Sequence, residues 1–171
     1  MKNLIITILL AILLFNPKTL HQPEEVQHYT KASLQEILRQ QQCLTEVLFH
    51  EVRGEPIEGI KAVLSVVHNR TKAKGFPSDY CGVVHQPYQF SYRNSIKPGR
   101  TLPINLNKLQ GSEKKIYTII QELSFIAAVG AFNPVLEDSV NFYHSVKIST
   151  KWSRKMKKVA TIGSHQFFKQ T

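Results

Sequence analysis

Apolar positions along this chain recur at helical spacing in three stretches, and the breaks between them mark its elements. Leu44, Val47 and Leu48 follow the i, i+3, i+4 spacing of a helix face turned to a core, which predicts a helix over about Leu44–Arg53. Residues 32–42 can form a helix leading into Cys43. Gly54 ends the first helix, and Pro56 opens a second that runs to about Lys72. Its apolar stripe is Ile60, Val63, Leu64 and Val67, with Lys61, Ser65, His68 and Lys72 opposite. Gly75, Phe76 and Pro77 break that pattern. From Tyr80 to Leu106 no period persists, and Pro87, Pro98, Gly99 and Pro103 predict one long irregular loop.

A third helix is predicted over about Ser112–Phe132, with Ser112 as its cap and Ile116, Ile119, Ile120, Leu123 and Ala127 as its stripe. Val140–His144 reads as a short strand, Lys151–Val159 as a short basic helix, and the end as extended chain. The sum is a mainly helical α+β domain with few, short strands. No internal repeat or low-complexity tract interrupts it.

One position breaks the first stripe. The residue at i+7 from Leu44 is Glu51, a carboxylate where a helix should be apolar. If it loses water there, desolvation disfavours its charged form and raises its pKa, leaving an acid able to donate a proton near neutral pH. If it snorkels, or pairs with Arg53 or Lys61, it is an ordinary surface glutamate. Spacing alone leaves both open.

At 171 residues there is room for one domain. Lys2 is followed by Leu4–Phe15, apolar except for Thr7, and then by Asn16, Pro17 and Lys18. That run is short for a span, which needs about 20 apolar residues. Residues 1–20 therefore read as a secretory signal peptide or an uncleaved signal anchor, with membrane tethering through residues 4–15 as the second possibility. Residues 21–40 read as a linker and lead-in helix, and 41–171 as the working domain. An exported protein is expected, in the periplasm or cell wall.

The stretch HEVRGEPIEG, the VVHNR that follows, the GFP turn and CGVVHQPYQFS together resemble the spore-cortex lytic enzymes, the SleB-like cell wall hydrolases. The matching positions include Glu51, Arg53, Gly54, Glu55, Pro56, Glu58, Gly59, Asn69, Arg70, Cys81, Gln86, Pro87, Gln89 and Phe90. The resemblance resumes in NFYHSVKISTKWSRKMKKVATIGSHQFF. Val52 stands where the family usually has Ala, and His85 and Tyr88 stand where it commonly has Tyr and Gly. The resemblance implies a small lysozyme-like fold acting on peptidoglycan, with Glu51 as the catalytic acid. It also implies substrate contacts from Gln86, Gln89, Phe90, Ser91, Tyr143 and His144. Tyr143 would hold Glu51 or a sugar acetamide, while Phe90 and Tyr92 could equally anchor the loop to the core.

Cys43 and Cys81 are the only cysteines. An even count in an exported chain favours a disulfide, and relatives with the first cysteine tend to have the second; the alternative is two buried thiols. Net charge is +10, and after Asp138 there is no carboxylate, only Lys147, Lys151, Arg154, Lys155, Lys157, Lys158 and Lys169. Such a surface suits an anionic cell envelope, and no aromatic-interleaved motif points to nucleic acid. A monomer without cofactor is expected.

Glycosidases ordinarily use two carboxylates. Glu55 is near Glu51 in sequence, but at the start of the Pro56 helix it reads as a structural cap beside Gly54. One acid suffices when the substrate supplies its own nucleophile, as the family's lytic transglycosylases do in closing a 1,6-anhydro ring. A hydrolytic muramidase and a non-catalytic wall-binding module remain the alternatives. His144 and His165 lack the spacing of a zinc motif, so no metal is expected.

Overall fold

The computed structural model describes residues 31–97 and 99–171; the expected signal at 1–20 and the linker up to residue 30 lie outside the described residues. Four helices come first: α1 (Lys31–Val52), α2 (Ile57–Lys72), α3 (Tyr80–His85) and α4 (Gly111–Ala128). A small sheet closes the domain, with strands β1 (Val140–Ser145), β2 (Lys157–Ile162) and β3 (His165–Lys169). Among the described residues, no helix is long and apolar enough to cross a membrane.

The lead-in and first helices are one continuous helix, since no Gly or Pro interrupts residues 31–52. Its middle is buried on every side, from Cys43 to Phe49, because α2, α3 and α4 all pack against it. α2 is also enclosed. Ser65, which the stripe placed on the polar face, is fully buried. Its hydroxyl donates to the Lys61 carbonyl at 2.8 Å and accepts the Val135 amide at 2.9 Å, where the chain returning toward β1 crosses that face.

The long loop of the sequence reading is more structured than expected. It contains α3, capped by the Asp79 side chain accepting from the Gly82 amide at 3.0 Å, and 3-10 turns at Ser91–Arg93 and Leu106–Lys108. Six residues are too few to show a period. α4 begins at Gly111 rather than Ser112, with Gln110 at the cap position and no side-chain cap bond. It ends at Ala128 rather than Phe132, where Gly130 in a left-handed conformation (φ 81°) stops it.

The basic helix expected at Lys151–Val159 is instead a 3-10 turn at Ser153–Lys155 running into strand β2. Val159, Thr161 and Ile162 are β-branched, and Gly163 (φ 57°) turns the chain back into β3. β3 lies between β1 and β2, antiparallel to both. Tyr143 stands opposite Phe167, and His144 opposite Gln166. The register shifts between Val140 and Phe142, a bulge at Asn141. Val140 and Tyr143 consequently both turn to the core, while Phe142 and His144 lie on the outer face with Phe168 and Trp152.

Candidate active site

Leu44, Val47 and Leu48 are fully buried, and Glu51, next on their stripe, is partly buried in the last turn of α1. The Tyr143 hydroxyl donates to Glu51 Oε2 at 3.2 Å. Burial pushes the Glu51 carboxyl above its ordinary value, and the Tyr143 hydrogen bond and the Arg70 charge offset this only in part. The carbonyl end of a helix also disfavours a negative charge placed there. The ordinary surface alternative is not what is seen: Arg53 pairs with Glu113 at 3.2 Å, and Glu51 has no ion-pair partner among the described residues.

Arg70 was not singled out by sequence reasoning as a site residue. It is only 4% exposed, and its guanidinium lies over the rings of Phe76 and Phe90, 5.3 and 5.6 Å from their centroids. Its Nε donates to the Asn141 carbonyl at 2.9 Å, and Asn69 Nδ2 donates to the carbonyls of Glu137 (2.7 Å) and Val140 (3.1 Å). These bonds from α2 grip the start of β1 and set Tyr143 against Glu51. The signal was present: Arg70 continues the stripe Ile60, Val63, Val67, as Glu51 continues that of α1.

Glu55 does not cap the second helix. Pro56 holds the cap position with no side-chain bond, because the Glu55 carboxylate reaches the β2–β3 turn. It accepts the Ser164 amide at 2.8 Å and the Ser164 hydroxyl, with His165 Nδ1 at 3.8 Å. Burial pushes the Glu55 pKa up, but the Ser164 bonds prevail and hold it below its usual value. Gly54 lies in the turn after α1, bridged by the Glu55 amide donating to the Val52 carbonyl at 3.0 Å.

Of the expected sugar contacts, only Tyr143 meets Glu51. Phe90 is 2% exposed and anchors its loop in the core beneath Arg70. His144 is a further correction: alternation along β1 puts it on the outer face, buried and stacked on Phe168 with Trp152 edge-on. His165 faces the other way, against Tyr143 at 5.3 Å, so the two histidines share no site. Gln86 lines a cleft of about 270 Å³ with Pro87, Tyr88 and Asn94, while Gln89 and Ser91 are exposed beside it. Among the described residues, no group of three or more His, Cys, Asp or Glu is gathered to hold a metal ion.

Two supports frame this arrangement. Cys43 and Cys81 form a disulfide, Cα atoms 5.2 Å apart, tying α1 to α3. Glu46, one and a half turns before Glu51 and only 1% exposed, takes Arg93, the Tyr92 hydroxyl (3.1 Å) and the Leu102 amide (2.7 Å), fastening those three residues to α1. Sequence reasoning passed over Glu46, whose partners lie 46 to 56 residues away.

Residues 54–168 match the family model described as Cell Wall Hydrolase. The chain belongs to the cell wall hydrolase family. The matched stretch begins three residues after Glu51. Over 124 residues the chain is 23% identical to the spore cortex-lytic enzyme of Bacillus subtilis (strain 168), covering 72% of this chain and 35% of that protein. Over 128 residues it is 24% identical to the spore cortex-lytic enzyme of Bacillus cereus, covering 75% and 43%. The chain thus spans less than half the length of these relatives. It is also similar to the crystal structure of the catalytic domain of the Bacillus cereus SleB protein (TM-score 0.54, 22% identity, 87% of this chain and 99% of that one). The catalytic domain of the germination-specific lytic transglycosylase SleB from Bacillus anthracis matches comparably (TM-score 0.51, 22%, 86% and 100%). These likenesses establish the fold as a small α+β domain of the lysozyme-like kind.

Proposed function

We propose that this domain cleaves the glycosidic bond between N-acetylmuramic acid and N-acetylglucosamine in peptidoglycan, as a lytic transglycosylase with Glu51 as its acid and base. The observation that carries the reading is a partly buried carboxyl with a raised pKa, held by one tyrosine hydroxyl, in a cell wall hydrolase fold. Glu51 gives its proton to the glycosidic oxygen as the C1–O bond of the muramyl unit breaks. The resulting carboxylate then takes the proton of the muramyl C6 hydroxyl while that oxygen bonds to C1. Tyr143 donates to the charged form between the two steps, and the Arg70 charge favours that same form.

The neighbouring carboxylate supports a single-acid route. Glu55 is held by two bonds from Ser164 and has a lowered pKa, which suits a fastened structural anion better than a water-activating base. Of the seven cations after Asp138, Lys169 pairs with Glu137 at 2.6 Å, and the other six have no ion pair among the described residues. That surplus favours action at an anionic envelope.

The test is mass spectrometry of purified peptidoglycan digested by the protein. Anhydromuramyl ends, one water lighter than reducing ends, support the proposal. Reducing ends assign a muramidase instead, and no release assigns a wall-binding module.

A further inference from the structure

The chain turns sharply at Gln86–Gln89, with the Gln89 amide donating to the Gln86 carbonyl at 3.4 Å. Pro87 takes the second position and Tyr88 the third, with a φ of 62°. A positive φ at the third position after proline is the mark of a type II turn, where glycine or asparagine ordinarily stands. Among the described residues, Tyr88 is the only non-glycine with positive φ. A bulky side chain there is strained, so something other than the turn must account for the tyrosine.

Its surroundings supply a reason. The ring is 91% exposed, so it contributes almost nothing to the core, yet it borders the cleft shared with Gln86 and Asn94. The turn does not float: Phe90, two residues on, is locked under Arg70, whose charge reaches Glu51.

We infer that Tyr88 forms a saccharide subsite, in which an N-acetylhexosamine lays its apolar face on the Tyr88 ring at the border of this cleft. This rests on the glycan reading above and extends it to a residue outside the acid's own contacts. The left-handed backbone keeps the ring out in solvent, where a sugar can reach it. Glycine would serve the turn better and the sugar worse.

Binding of a soluble tetrasaccharide of alternating N-acetylglucosamine and N-acetylmuramic acid, measured by calorimetry, tests this alongside digestion kinetics on soluble uncross-linked glycan strands. Tyr88→Gly and Tyr88→Ala should each weaken tetrasaccharide binding and raise KM about five-fold, the order of one aromatic contact, with the loss in KM rather than kcat. Tyr88→Gly should also melt about 3 °C higher because the strain is relieved, so that stability and binding move in opposite directions. Tyr88→Trp, which keeps a flat ring, should restore tight binding. Unchanged binding in both truncated variants overturns the subsite, as does a fall in kcat with lower melting temperatures. Wild-type protein that binds the tetrasaccharide but releases nothing from peptidoglycan overturns the proposed reaction and leaves the subsite standing.

Discussion

The Tyr143 hydroxyl and the Glu51 carboxylate meet at 3.2 Å across 92 residues of sequence. One comes from the last turn of α1 and the other from the inner face of β1. Because the hydroxyl donates to the charged form, it lowers a pKa that burial raises. Tyr143→Phe should therefore raise the Glu51 pKa further and move the alkaline limb of the pH–rate profile to higher pH. The maximal rate should fall about ten-fold as the carboxylate loses its donor in the second step. An unmoved limb would show that the contact plays no part in the titration.

The buried Glu46 and the partly buried Glu51, on one helix, should respond in opposite ways. Glu51→Gln should abolish lysis and leave the fold intact. Its effect on stability depends on pH. A carboxyl whose folded pKa is raised contributes stability that is fully present below the ordinary value of 4.5 and lost as pH rises through the folded pKa. The variant should thus match the wild type in acid and out-melt it above that range. Glu46→Gln should instead break a buried ion pair, lowering stability by about 3–5 kcal/mol. Melting curves from pH 4 to 8 with digestion assays check both, and equal melting losses would mean that Glu51 is structural.

Glu55→Gln and Ser164→Ala both weaken the bond between the Ser164 hydroxyl and the Glu55 carboxylate, while the Ser164 amide contact survives the second substitution. Each should cost about 1–2 kcal/mol, with a double variant costing little more than either alone. Activity should be partly kept. Additive losses in a double-mutant cycle would show that the two groups act separately.

The Cys43–Cys81 bridge closes a loop of 38 residues and should stabilise by about 3–4 kcal/mol in the chain-entropy model. Reductant should lower the denaturation midpoint accordingly, without changing the pH profile of the remaining activity. Two thiols open to alkylation in oxidised, folded protein would contradict the bridge.

Local pattern made much of the helical half legible. The stripes Leu44–Val47–Leu48 and Ile60–Val63–Leu64–Val67 are core, and the carboxylate that interrupts the first is the one the structure half-buries. What failed was non-local. Ser65 and Arg70 looked polar, yet a later segment covers one and the other reaches the backbone of β1. The basic run Lys151–Val159 reads as a short helix, whereas pairing with β3 makes Lys157 and Lys158 strand. In the candidate site, the resemblance offers Tyr143 to Glu51 or to a sugar acetamide, and its hydroxyl lies 3.2 Å from Glu51. It misplaced His144, since a family motif does not say which face of a strand each of its letters occupies.

The bulge at Asn141 accommodates that assignment. Two residues rather than one stand between Val140 and Tyr143, and the bulge absorbs the extra one so that both still turn inward; Arg70 holds that residue by its carbonyl. Loss of that single residue would leave Val140 and Tyr143 on one face by simple alternation, but Arg70 would lose the carbonyl it holds. Descendants of this chain therefore need the extra residue for the carbonyl it offers Arg70, not for the face that Tyr143 takes.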